Sequence, residues 1–444
     1  TFTITPNDGY TLEEAEVNCT GGTLTNNTLT IKNIRKNIKC EIVLQEDGIT
    51  LAEAMLRDNP IVSERTSFSS INVANTTGTI YQTNKTEDGS IVYYYSGNTT
   101  NNWVKFGKME QTLYKYGIAD GKASPSNPGK VTVTYYYGTS CASNAISCTK
   151  FYSAGDDIYW RIIRSNEDGS IRLLYSGTSV SSKTGFIGYT GFGKSNSPLY
   201  VGYMYGTSET LETNRTNENS NMIKNYVDNW YSANLLNNYN KYISKIAIYC
   251  NDRSVGGGEY TTDSNSTFYY GVERRLSQNK LPTYKCGENG TGGLFENTQA
   301  IADKFSASTN GGGNGQLTYP IALMTADEIT FAGGKIGSSL SNPYVWYYLN
   351  STGSSIVGSE SWWTLSPGFY YGHKDTTITD TYTVGFVVHG SDSAGNLNTT
   401  DITGSYYVRP VLSLKSCVKY SSGNGTPESP YEVTIDDACA SDED

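Results

Sequence analysis

The segment that opens Trp362-Trp363-Thr364-Leu365-Ser366-Pro367 and closes Tyr406-Tyr407-Val408-Arg409-Pro410-Val411-Leu412-Ser413-Leu414 decides how this chain is read. Its closing run has strand composition, and Pro410, which lacks an amide donor, belongs at an edge, a bulge or a strand start. The paired tryptophans need burial and predict an anchor in the same core. Between the two ends, Thr383-Val384-Gly385-Phe386-Val387-Val388 is the one run apolar enough to be buried. The flanking segments, rich in Tyr, Thr, Asp, Asn, Ser and Gly, predict loops held by three strands.

At 444 residues the chain is long enough for a large core, and one large domain with appendages is expected. Tyrosine is the outlying count at 37, against only 2 histidines, and the formal net charge is -10. No basic face is available for phosphate neutralisation, so nucleic-acid binding and docking on anionic lipid are both disfavoured. No apolar run reaches the ~20 residues of a membrane span, and no charged-then-apolar leader precedes Thr1. The chain therefore reads as a secreted or surface fragment.

The 8 cysteines are even in number and widely spaced, with no Cys-x-x-Cys and no accompanying His. That pattern favours disulfides over metal. Pairing neighbours closes the shortest loops and predicts Cys19 with Cys40, Cys141 with Cys148, Cys250 with Cys286 and Cys417 with Cys439. An oxidising, extracytoplasmic compartment follows.

Residues 1–46 alternate apolar and polar positions and predict a small β unit. Thr50 and Glu53 have the spacing of a capping box, and Leu51, Ala54 and Met55 predict a short helix ending before Pro60. A second capping box, Thr325 with Glu328, predicts a helix through Phe331, stopped by Gly333-Gly334. Met222, Ile223, Tyr226, Val227 and Trp230 keep helical spacing after Asn219 or Ser220. An internal echo, Glu87-Asp88-Gly89-Ser90-Ile91 and Glu167-Asp168-Gly169-Ser170-Ile171, predicts two β-hairpins. Residues 108–156 and 250–318, with their Gly, Pro and Ser clusters, look like insertions.

Gly188 to Ser195 matches the P-loop pattern letter for letter, but Asn196-Ser197-Pro198 follows where a phosphate site needs a helix, so a chance match is preferred. With only His373 and His389 a hydrolytic triad is improbable, and neither lies near a Gly-x-Ser-x-Gly elbow. Asp156-Asp157, or Asp375 with Asp380, read as solvated loop acids rather than a glycosidase pair. Asp392, Asn396 and Asn398 offer oxygens that a structural calcium would accept, yet turn-forming Asx residues explain them equally well. No cofactor is expected. Trp160, Trp230, Trp346, Trp362 and Trp363 sit in apolar contexts and predict core, whereas Tyr370, Tyr371, Tyr382 and Tyr406 sit among polar residues, where Tyr gives contact area at low entropy cost.

Tyr159-Trp160-Arg161-Ile162-Ile163, the helix around Trp230, Ala322 to Glu328, Trp362 to Pro367 and Val408 to Leu414 together resemble an uncharacterised domain of secreted Gram-positive gut bacterial proteins. That domain is similar to the formylglycine-generating-enzyme branch of the C-type lectin fold. The resemblance covers roughly residues 67–420 and implies an α+β, C-type-lectin-like ligand-binding domain with insertions at about 108–156 and 250–318. It would follow a small all-β surface-repeat unit (1–46) and a helical linker (47–66), with a C-terminal tail at 421–444. The same fold carries the variable proteins of diversity-generating retroelements, whose mutagenised positions are rich in Asn, Tyr, Asp, Ser, Thr and His, as residues 369–407 are here. The resemblance implies a ligand face of Phe369, Tyr370, Tyr371, His373, Asp375, Thr377, Asp380, Tyr382, Asn396, Asn398, Asp401 and Tyr406, on a scaffold of Trp160, Trp362, Trp363, Arg409 and Pro410. The expected function is non-enzymatic binding of a protein or glycan on another cell, phage or host surface, as by an adhesin. Two alternatives stand beside it. A glycan lectin is weakened by the missing Glu-Pro-Asn, Gln-Pro-Asp and Trp-Asn-Asp triplets, and an oxidase-like enzyme needs a reactive cysteine pair where only Cys417 and Cys439 lie.

Overall fold

The computed structural model describes the chain apart from residues 6–9, 19–20, 26–27, 33, 36, 38, 47, 125–126, 199–219, 260–264, 287–301, 309–314, 338–344, 375–378, 389–394, 435–438 and 440–444. Its organising element is a ten-stranded sheet. The main path runs Ala322–Leu323, Pro410–Leu414, Ile171–Tyr175, Asp157–Ser165, Val92–Tyr94, Thr79–Thr83, Ile61–Glu64. The Trp103–Lys108 strand also pairs with Asp157–Ser165, and Tyr431–Val433 runs parallel beside it. Ile171–Tyr175 is buried at every position, as a strand covered on both faces must be. The residues expected as a C-terminal tail thus supply a strand, because Tyr431 is an apolar anchor with no exposed surface.

A seven-stranded sheet is built around the opening segment. Trp362–Lys374 pairs with Thr379–Val388, with Thr267–Tyr270 and, in parallel, with Tyr406–Tyr407, which in turn pairs with Tyr189–Thr190. Trp362 and Trp363 are wholly buried, and the Trp363 indole N–H donates to the Thr190 carbonyl at 2.9 Å. Pro410 is the first residue of its strand, where its missing donor costs nothing.

The fold is predominantly β, with several sheets, and this corrects the α+β class expected from the sequence. The expected helices exist but are short: α1 (Leu51–Asp58), α2 (Met222–Asn234) and α3 (Ala326–Phe331), besides one turn at Gly271–Arg274. The segments flanking the Val384 run, expected as loops, are strands, since Tyr and Thr fit a pleated surface as readily as a loop. Residues 250–318 do more than insert, because Thr267–Tyr270 buries Phe268 and Tyr270 within the second sheet. Both capping boxes form as expected, and α2 is capped by Asn221, whose side chain accepts from the Lys224 amide. Both echo segments close antiparallel strand pairs, Tyr81–Thr83 on Val92–Tyr94 and Trp160–Ser165 on Ile171–Tyr175.

Three of the neighbour disulfides are present, Cys141–Cys148, Cys250–Cys286 and Cys417–Cys439. Cys40 is also disulfide-bonded, while Cys19 lies outside the described residues. The described parts of 1–46 contain strands, such as Gly22–Thr25 on Thr28–Ile31. Residues 113–152 form a sheet of their own, with Leu113–Ser124 between Asn127–Gly138 and Ser147–Tyr152. The Cys141–Cys148 bond closes the connection between Asn127–Gly138 and Ser147–Tyr152.

Candidate functional site

Where the inserted sheet meets the edge of the seven-stranded sheet, an open groove of about 450 Å³ is lined by Tyr135, Tyr137, Tyr189, Tyr406 and Tyr407 together with Lys115, Glu360 and Ser405. One wall follows from strand alternation. Val133, Tyr135 and Tyr137 share a face of Asn127–Gly138, and opposite Tyr135 stands Gly117, where an added Cβ would lie 2.7 Å from the Val133 side chain. Only glycine lets that face close so tightly. The Lys115 ammonium sits 4.5 Å from the Tyr135 ring centre, and Tyr135 keeps 43% of its surface exposed.

The other wall is fixed by the core. Tyr407 stacks on Phe186 with centroids 3.7 Å apart, and Tyr406 stands edge-on to Trp363 at 5.1 Å while its hydroxyl bonds Thr400 Oγ1 at 2.7 Å. Tyr189 bridges the walls, since its ring meets Tyr137 edge-on at 6.0 Å and its hydroxyl donates to the Tyr135 carbonyl. Burial, and then the neighbouring Tyr407, push the Tyr137 phenol above its ordinary pKa. Burial raises Tyr189 likewise, and burial followed by Glu360 raises Tyr407. All three hydroxyls therefore stay neutral at physiological pH, offering both a donor and an acceptor beside a π face.

Of the expected contact residues whose side chains are described, Tyr406 is the one in this groove. Tyr370 is a correction, because it is 1% exposed and packs on Phe268 at 5.6 Å. Asn396 is another, with no exposed surface. Phe369 is half-buried against Tyr269, and Tyr371 is half-buried and paired in register with Thr267 and Tyr382. Asn398 accepts from the Thr399 amide, and Asp401 closes an Asx turn onto Thr403. His373 and Asp380 are register partners across the hairpin, but their side chains and that of Tyr382 lie outside the described residues, as do Asp375, Thr377 and His389. Of the seven described side chains of the face implied by the resemblance, two are buried and five are half-buried. Trp160, Trp362, Trp363, Arg409 and Pro410 are all buried.

The chance reading of Gly188 to Ser195 fits the local structure, in which Tyr189–Thr190 is a strand and the residues to Ser197 are bends without a helix. Sequence reasoning missed a second cluster. Glu328, which caps α3 by accepting from the Thr325 amide with Oε2, uses Oε1 to pair with Arg172 at 2.6 Å and Arg164 at 3.3 Å. Arg275 forks between Asp327 and Asp252 beside it, both at 2.8 Å. The two echo turns converge here on a cleft of about 200 Å³, lined by Glu87, Asp88, Glu167 and Asp168. Each acid already has a partner: Lys304 for Glu87, Arg164 for Glu167, and Ser90 and Ser170 for the two aspartates. This is an internal ion network. Among the described residues no group of three or more His, Cys, Asp or Glu is placed to hold a metal, and no cysteine is free.

No family model, no curated protein and no solved structure matches this chain.

Proposed function

We propose that this is an extracytoplasmic binding protein that holds its ligand in the tyrosine groove and carries out no chemistry on it. The observation that carries the reading is the groove itself, an open cleft of about 450 Å³ in which five tyrosines, Lys115 and Glu360 converge from five separated stretches of chain. Tyrosine gives large contact area with few rotors to freeze, plus a neutral hydroxyl for orientation, which suits recognition. Three disulfides, and the lack among the described residues of any helix long and apolar enough to cross a membrane, are compatible with a secreted or surface-held chain.

The test is to screen the full chain against a glycan array and a displayed random peptide library, then repeat each positive with Tyr406→Ala and Tyr135→Ala. Binding should weaken at least tenfold in both variants while the melting temperature moves little for the exposed Tyr135. A ligand held equally well by both variants would place the binding surface elsewhere.

A further inference from the structure

Resting on that reading, we infer that the ligand is an extended peptide segment that enters the groove as an added β-strand on the outer edge of Asn127–Gly138. In the inserted sheet this strand pairs with Leu113–Ser124 on one side, and among the described residues no strand pairs with its other side. The register from Tyr137 opposite Lys115 to Val133 opposite Ala119 is unbroken, so backbone direction alternates strictly along it. The Tyr135 carbonyl accepts the Tyr189 hydroxyl, so that carbonyl points away from the sheet and into the groove. By alternation the N–H and C=O groups of Val133 and Tyr137 point the same way. Their side chains line the groove as well, which places a row of backbone donors and acceptors along an aromatic wall.

Open edges of this kind are normally blunted by proline, inward charge or a bulge. None of these occurs between Val133 and Tyr137, where the sequence is Val-Thr-Tyr-Tyr-Tyr. The partner that satisfies such an edge is another peptide backbone, with a ladder for affinity and alternate side chains for specificity. Val133, Tyr137 and Tyr406 would contact an apolar or aromatic side chain at every second ligand position, and Lys115 and Glu360 leave room for one charge of either sign at the rim. The Tyr189 hydroxyl already occupies one edge acceptor from across the groove, showing that a donor there is well placed to bond.

The experiment pans a displayed random dodecapeptide library on the full, disulfide-intact chain and measures the recovered peptides by fluorescence polarisation, each also synthesised with single backbone N-methyl groups. Enrichment of an alternating apolar pattern is expected. N-methylation should weaken binding at least tenfold at every second residue and little at those between, a ladder signature that needs no protein variant. In addition, Val133→Pro should abolish binding while the Trp-dominated near-ultraviolet dichroism is kept. Peptides that tolerate N-methylation at every position would overturn the strand model. So would a screen in which only oligosaccharides bind. If such a ligand is lost in Tyr406→Ala but kept in Val133→Pro, the groove stands as the site and the peptide ladder falls. If ligands survive both changes, the groove falls too.

Discussion

Arg409 lies 4.8 Å over the indole of Trp362, wholly buried, and donates to the carbonyl oxygens of Tyr175 and Tyr347, with no carboxylate partner among the described residues. Burial pushes its pKa down to about 9, so it is still charged at neutral pH. A guanidinium here joins three stretches of chain that would otherwise present unpaired carbonyls to the core. Arg409→Ala is expected to cost about 3 to 5 kcal/mol, the sum of lost packing and orphaned acceptors. Arg409→Lys should recover only part, since an ammonium cannot fork. Urea unfolding of the three proteins checks this, and a loss for Arg409→Ala no larger than that of a surface change would refute it.

Glu328 carries two arginines and a helix cap on one buried carboxylate. Glu328→Gln leaves Arg172 charged and without its carboxylate, and Arg164 with only Glu167 at 3.8 Å, and should cost about 3 to 5 kcal/mol. Replacing all three residues with apolar ones of similar volume should cost less than the single change, because no unpaired charge remains. Thermal melts of the two variants compare directly, and the reverse order would contradict the ion-network reading.

The same carboxylate gives a pH signature. Burial opposes its charge, but Arg172 and Arg164 outweigh that and hold the Glu328 pKa below its ordinary value. A carboxyl depressed in the folded state contributes its full stability above the unfolded pKa, ~4.3 for Glu, and loses it as pH falls through the folded value. The stability gap between wild type and Glu328→Gln should therefore be constant from pH 7 to about pH 5 and narrow at more acid pH. Asp228 works in the opposite sense, since burial raises it despite Lys224. Urea midpoints across that range would settle the sign, and a gap that widens on acidification would exclude the assignment.

Removing the Cys141–Cys148 bond should act locally. Its loop is short, so the double Ser variant is expected to lose about 2 to 3 kcal/mol. Hydrogen exchange should quicken across residues 113–152 and leave the strands around Trp160 and Trp362 protected. Uniform quickening would mean that the inserted sheet and the core unfold as one unit.

Gly117→Val tests how the groove wall closes. The new side chain would meet Val133 and Ser147, each 2.7 Å from its Cβ alone. The sheet must open there, so groove binding should fall while the core melting transition stays within a few degrees. Unchanged binding would show that this face is not part of the site.

The sequence made some features plain and hid others for identifiable reasons. The capping boxes at Thr50 and Thr325 are local chemistry, complete within four residues, and both form. Trp362 and Trp363 could be read as core because large rings between apolar neighbours have few other places to go. Tyr370 was misjudged because its burial depends on Phe268, on a strand far away in sequence, and nothing in its own neighbourhood announces that pairing. The groove was hidden for a related reason. Its tyrosines come from three distant segments, and among 37 tyrosines none stands out until the chain is folded.

Leu113 and Tyr152, the first and last residues of the inserted sheet, are register partners across two adjacent strands. The excursion between them therefore leaves and re-enters the body of the protein at almost one point, with Tyr152 rooted in the core. Such a geometry makes the sheet exchangeable. A lineage, or an engineer, could shorten, replace or graft the whole projecting arm on that narrow base, and so alter one wall of the cleft while the tryptophan-anchored interior keeps its sequence and its stability.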